Sequence, residues 1–368
     1  MVLGSQSLED EALRQERVIN ILVRAPNWLG DVMMCTPALT SLRKTYPKAN
    51  ISVLVKKELK EALAGNPDIS EIITFPSGAP FFKRVQFYLS LRVKKIDLAI
   101  LFTNSFESAL CAYLASARQR VGYNRDFRRL FLTDPVCTPS RLPPRIHQSD
   151  YYLNLVRKKG EPSRKGTVRN LDKTEGEKEL IFFIPDADRN EVKKVWEQEG
   201  LTKAPLVIGF GPGAAFGNAK RWPPFRYALL GDKIVQKLGG RVVLFGSGVD
   251  DGVCENIIGL MNEKALSLAG KSSIKGLGAF LEKCDAYVTN DSGPMHIAAS
   301  LKTPVVAIFG STDQAESAPL SPLSTVVTAG ASCSPCWKRE CPSDHTCMES
   351  ISADEVFTAL QKILPKKK

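Results

Sequence analysis

The chain has no long hydrophobic run. No stretch reaches the roughly 18 consecutive uncharged apolar residues of a membrane-spanning helix. The opening residues, MVLGSQSLEDEALRQER, lack the basic and apolar regions of a secretory signal. They read as a polar extension, and the expected compartment is the cytoplasm. Thiols stay reduced there, so the nine cysteines are not read as a disulfide framework. Cys35, Cys111, Cys137, Cys254 and Cys284 are scattered and look like core or incidental thiols. Low-complexity tracts are missing, and there are only three histidines.

Positive charge is plentiful. Fifty Lys and Arg face 39 Asp and Glu, a formal net charge of +11. Such a surface favours an acidic partner: nucleic acid, a phosphorylated substrate or an anionic membrane face. A merely soluble basic surface is the plain alternative. At 368 residues the chain is long enough for two domains, each with its own core.

Short Ile/Val/Leu runs alternate with helical patterns along most of the length. VINILVRA, ISVLVKK, EIITFP, IDLAILFT and QRVGYN read as strands, with helices between them. Near-continuous apolar strands separated by helices signify a parallel sheet covered on both faces. Residues 124–186 read as a loop-rich edge followed by a charged linker. The alternation restarts at PLVIGFGPG and continues through RVVLFGSG, ALSLAG, AYVTNDSG and PVVAIFGST. The expected class is therefore α/β, with two Rossmann-like doubly wound parallel sheets. Ligands of such sheets bind outside the strands' carboxyl ends, which in tandem would face a shared cleft. Expected boundaries are an extension over 1–17, a first domain over 18–186, a second over 187–350, and a terminal helix with basic tail over 351–368. Ser352 is the expected cap of that last helix.

Five stretches carry candidate chemistry. In RAPNWLGDVMMCTPAL, Asp31 lies at a sheet's carboxyl edge, beside a helix starting at Gly30 or only at Thr36-Pro37. A carboxylate there is stabilised as the anion by unpaired N–H groups and can accept a hydroxyl proton. A plain helix cap is the alternative. Neighbouring Trp28 is either a sugar-stacking platform or core. In GFGPGAAFGNAKRWPPFRY, Gly209, Gly211 and Gly213 would let backbone N–H groups approach an anion, with Lys220 and Arg221 to neutralise it. The stretch is not a Walker loop, since GK[ST] is missing. Ala214 replaces the third glycine of a dinucleotide fingerprint. LFGSGVDDGV places Gly246 and Ser247 in a βα turn, open to ligand contact or purely structural.

VTNDSGPMHIAAS ends a strand in Asp291, Ser292 and Gly293, then opens a helix carrying His296. A helix N-terminus plus a hydroxyl suits a diphosphate; a capping Asp291 and a core histidine are the alternative. In CSPCWKRECPSDHTC, Cys333, Cys336, Cys341 and Cys347 either close a tetrahedral structural zinc site or stay free thiols. No catalytic metal is expected.

Taken together, these stretches resemble the bacterial heptosyltransferases of glycosyltransferase family nine, which have the GT-B fold. The resemblance rests on NWLGDVMMCTPAL, GPGAAFGNAKRWPPFRY and NDSGPMHIAASLKTPVVAIFGSTD, in that order, and spans nearly the whole chain from about residue 18. The cysteine loop is similar to the branch that adds the second inner-core heptose. The resemblance implies an inverting, metal-independent transfer of heptose from ADP-L-glycero-D-manno-heptose, without a cofactor. The implied acceptor is the phosphorylated lipid A–Kdo–heptose inner core of lipopolysaccharide. It implies a monomer, peripheral on the cytoplasmic face of the inner membrane, with no nucleic-acid partner. It makes Asp31 the general base and Lys220 the phosphate contact, with Gly213, Gly246, Ser247, Ser272, Asp291, Ser292, Gly293 and His296 around the donor. Ser272, in Gly270-Lys271-Ser272, would border the adenine. Asn27, Trp28, Asn104, Arg120 and Tyr123 are acceptor-side expectations from loop position alone. A nucleotide-sugar epimerase on the same fold, and a basic zinc-containing nucleic-acid-binding protein, are the competing readings.

Overall fold

A computed structural model describes residues 18–138, 145–157 and 178–364. The expected extension at 1–17, most of the charged linker, and the terminal PKKK lie outside the described residues. The chain divides into two compact units, Met1–Ile181 and Phe182–Lys368.

The first unit is built on six parallel strands: β1 (Asn20–Arg24), β2 (Asn50–Lys56), β3 (Glu71–Phe75), β4 (Leu98–Leu101), β5 (Gln119–Tyr123) and β6 (Asp134–Val136). Their order is β3-β2-β1-β4-β5-β6. The second unit uses β7 (Val207–Gly211), β8 (Arg241–Leu244), β9 (Ala265–Ser267), β10 (Ala286–Asn290), β11 (Val305–Phe309) and β12 (Ser324–Thr328). Their order, β12-β11-β10-β7-β8-β9, is the same winding. In each sheet the order reverses beside the first strand, between β1 and β4 and between β7 and β10. The crevice beyond the strands' carboxyl ends opens there. Register fixes the positions: Arg24 stands opposite Leu101, and Gly211 opposite Thr289.

The central strands are wholly buried because helices cover both sheet faces. Ile21, Leu22, Val23 and Leu98–Leu101 form one core; Ile208, Phe210, Val288 and Val305–Phe309 form the other. Each of the Val, Leu, Ile and Phe side chains among them contributes about 2 kcal/mol on burial. The C-terminal helix Ala353–Ile363 packs into the second core through Val356, Phe357 and Leu360. Ser352 caps it, with Glu355 closing a capping box. No helix among the described residues is long and apolar enough to cross a membrane.

The stretch read as loop and linker after residue 124 holds more order than expected. It contains the short edge strand β6, and the helix Gln148–Arg157 packs on the helix Thr36–Thr45. The helix Asp186–Gln198 opens the second unit. Around Asp31, both expected helix starts occur: Leu29–Met34 and Thr36–Thr45 are separate helices divided by Cys35.

Candidate active site

The first unit places one carboxylate at its switch point. Asp31 lies in the first turn of Leu29–Met34, just past the end of β1. The Tyr152 hydroxyl donates to its Oδ1 at 2.9 Å. Tyr152 is buried against Phe102, with ring centroids 5.1 Å apart. Burial, reinforced by the Asp31 charge, pushes its phenol well above the usual range, so it stays a donor at any working pH. Burial and then Asp31 likewise raise the Cys35 thiol, which stays neutral beneath the helix.

Of the acceptor-side expectations, Asn27 accepts from the buried Arg24 guanidinium at 3.0 Å, which pins the loop ahead of Asp31. Trp28 is 46% exposed, so it is not core. Asn104 and Tyr123 lie at the same edge, inside a network that sequence reasoning missed. Asn104 donates to the Tyr151 hydroxyl at 2.9 Å and accepts from Arg128 at 3.2 Å. The Tyr123 hydroxyl donates to the Tyr151 carbonyl at 2.7 Å and accepts from Asn154 at 2.9 Å. Arg128 is fully buried and also holds the Tyr123 carbonyl at 2.8 Å; burial lowers it to about 10. Arg120 is not part of this group. It sits near the amino end of β5, where its guanidinium donates to the carbonyls of Ala117 and Phe131 at 2.5 and 2.6 Å. The signal for Tyr151 and Tyr152 lay in QSDYYLNLVR, where Tyr152, Leu153 and Val156 stand at helical spacing among the buried positions.

The second unit gathers a cation, a carboxylate and a helix start. The Lys220 ammonium meets Asp291 at 2.5 Å, both nearly buried. Thr312 donates to the same carboxylate oxygen at 2.7 Å. The lysine also stands 4.9 Å from the Phe216 ring centroid. Asn290, which sequence reasoning did not single out, joins the two central strands' ends. It donates to the Pro212 carbonyl at 2.7 Å and accepts from the Trp222 amide at 3.0 Å. Ser292 and Gly293 begin the helix Gly293–Ser300, whose His296 is buried. Ser272 is half-buried in the turn before Ser273, which caps the helix Ile274–Lys283.

The glycines have a packing reason of their own. A Cβ at Gly211 would run into the Tyr287 hydroxyl, and one at Gly213 would stand 2.6 Å from the Asp250 carboxylate. Gly246 is closed by Asp250 too, and the Ser247 hydroxyl donates to that carboxylate at 2.7 Å. The four late cysteines are free thiols. No three His, Cys, Asp or Glu side chains among the described residues are gathered as a metal site. Cys333 is exposed, whereas burial and the neighbouring thiols push Cys347 up to about 11.

Their loop instead straps the lysine turn. The Ala219 amide donates to the Arg339 carbonyl at 2.9 Å, and His345 Nε2 meets the Ala219 carbonyl at 3.0 Å. Gly217, at φ +156°, leaves no room for a Cβ beneath the Arg339 carbonyl.

One unit thus sets a carboxylate at its switch point, and the other sets a cation beside a helix start. Comparison with known proteins shows the family. The profile of the family described as glycosyltransferase family 9 (heptosyltransferase) matches residues 84–347, more than half of the chain. The chain belongs to glycosyltransferase family 9. Among curated family 9 proteins, lipooligosaccharide heptosyltransferase 2 of Haemophilus influenzae is 33% identical over 316 residues, covering 84% of this chain and 88% of that protein. The solved structure of Escherichia coli ADP-heptose lps heptosyltransferase II superposes with a TM-score of 0.76 at 29% identity, covering 94% and 98% of the two chains. A family 9 glycosyltransferase from Veillonella parvula gives a TM-score of 0.79 at 25% identity, covering 94% and 97%. The fold is GT-B, and the chain is a glycosyltransferase.

Proposed function

We propose that this family 9 enzyme moves a heptose from ADP-L-glycero-D-manno-heptose onto the inner core of lipopolysaccharide, as the second heptose. Its similarity to proteins named heptosyltransferase 2 supports the donor and acceptor class. The observation that carries the mechanism is the Asp31 carboxylate held at the β1 edge by a permanently protonated Tyr152.

Asp31 takes the proton of the acceptor hydroxyl, and that oxygen attacks the anomeric carbon. The bond from that carbon to the diphosphate breaks, ADP leaves with the electron pair, and the configuration inverts. General-base help of this kind is worth roughly 10²–10⁴ in rate. The charge developing on ADP is met by the remaining N–H bonds of Lys220 and by the amides of Ser292 and Gly293 at the helix start. Asp291 and Thr312 hold the lysine ready, and no metal is needed to carry that charge. Gly213, Gly246, Ser247 and Ser272 border the nucleotide, and His296 sits behind it. Trp28, Asn27 and the Asn104–Tyr123 edge border the acceptor. The enzyme works as a monomer at the cytoplasmic face of the inner membrane, where a +11 chain meets a phosphorylated, lipid-anchored acceptor.

The test is a screen of nucleotide sugars for thermal stabilisation, followed by transfer to lipopolysaccharide cores truncated after the first heptose. ADP-heptose should stabilise the protein and its sugar should appear on the core. Failure to extend that core, or conversion of the nucleotide sugar alone into an epimer, overturns the reading.

A further inference from the structure

We infer that the surface formed by residues 81–95, the helix Phe106–Leu114 and the loop 125–131 is where this protein lies on an anionic lipid bilayer. The helix Phe81–Ser90 turns Tyr88 inward, yet Phe81, Phe82 and Leu89 on its other side are exposed. Val93 follows, 81% exposed. This helix packs on Phe106–Leu114, where Phe106 and Tyr113 are also exposed. Both of their rings meet Phe131, at 5.2 and 5.3 Å between centroids. The turn holding Phe131 presents Phe127, 95% exposed, and Leu130, 87% exposed. A ribbon of large apolar side chains therefore runs across three neighbouring elements. Monomeric proteins rarely leave such a patch to water.

The backbone reinforces this. Asp126 and Phe127 both adopt left-handed conformations, at φ 52° and 56°. For a bulky residue that costs about 1 kcal/mol or more, so the fold spends stability to hold Phe127 outward.

Charge selects the occupant. Between Glu71 and Asp97 the chain has no acidic residue, but it carries Lys83, Arg84, Arg92, Lys94 and Lys95. Lys83, Arg92, Lys95 and Arg129 are exposed along the ribbon. Of the ribbon's acids, Glu107 is taken by Arg84 at 2.8 Å, leaving Asp126. Aromatic and aliphatic side chains flanked by cations are the chemistry of a protein seated at lipid headgroups. The rings enter the acyl boundary, and each nearby Lys or Arg adds about 1 kcal/mol of attraction to anionic lipid.

The proposed acceptor explains why a bilayer is near, but binding itself is measured without substrate. Co-sedimentation of the full chain uses vesicles of phosphatidylcholine alone, or with about one third phosphatidylglycerol. The protein should partition onto the anionic vesicles only, and less at high salt. Phe127→Ser with Leu130→Ser should lower that partition by about tenfold or more. Its melting temperature, and its transfer of heptose to a soluble truncated core, should stay as in the parent. If that variant fails to fold, Lys83→Glu with Arg129→Glu, both at exposed side chains, provides the same test. Equal partition of parent and variant overturns the inference, as does a parent that ignores anionic vesicles. So does a parent dimer in sedimentation velocity that the variant loses, which would assign the patch to a second copy. Loss of heptose transfer to the soluble core by the parent would instead count against the proposed reaction.

Discussion

The two units share a strand order and differ in what they set at the switch point. At the β1/β4 edge stands a carboxylate, Asp31, that accepts from the Tyr152 phenol, while Tyr151, Tyr123 and Asn104 form a separate network around the buried Arg128 at the same edge. A neutral donor on one anion makes a place where a single proton decides the state. At the β7/β10 edge stands an ion pair, Lys220 with Asp291, beside a helix start. That place is suited to meeting a doubly charged group without moving a proton. One architecture thus carries two kinds of electrostatics, and the loops after the strands, not the sheets, make the difference.

If this division of labour holds, the largest effect comes from the first edge. Asp31→Asn should lower kcat by roughly 10²–10⁴, while ADP binding by calorimetry stays as in the parent. Normal turnover by that variant would erase the contrast. At the second edge, Lys220→Ala should weaken ADP about tenfold to a hundredfold, the worth of a charge-assisted contact. It should also lower stability by about 3 kcal/mol in urea, because Asp291 is left buried without its cation. Unchanged ADP affinity would make the ion pair purely structural. The smallest and sharpest test is Tyr152→Phe. Losing the donor to Asp31 should move the acidic limb of the kcat/KM profile upward, since a carboxylate without that hydrogen bond holds its proton more readily. The neutral plateau should fall less than about tenfold. No alkaline limb should come from Tyr152 in the parent, because its phenol is raised well above the usual value. An unmoved acidic limb would mean that Tyr152 only packs.

The inner strands were legible because a buried parallel strand must be almost wholly apolar, and the edge strands β3 and β9 were read from the short runs EIITFP and ALSLAG. The edge strands β6 and β12 were not. β6 has three residues, one of them Pro135, and β12 is only half-buried, so neither carries that pattern. The helix Asp186–Gln198 was hidden by charge, with only Val192 and Trp196 reaching the core. Asp31 and Lys220 were readable as chemistry because they end strands in turns. Tyr152, the partner of Asp31, and Thr312, which donates to the Asp291 that holds Lys220, were not, since only folding joins them. The packing need for the glycines was concealed in the same way: at Gly211 and Gly213 the small residue yields space to Tyr287 and Asp250, which stand far along the sequence.

The strap over Ala219 has a consequence for the order in which the second unit is finished. The Ala219 amide and carbonyl find their partners at Arg339 and His345, and the Trp222 indole finds its own at the Ile351 carbonyl, 3.0 Å away. A nascent chain therefore carries Lys220 on an unsecured turn until more than a hundred further residues have been made. The edge that carries Lys220 is therefore among the last parts of this unit to close, in step with the core that Met348, Ile351, Val356, Phe357 and Leu360 complete.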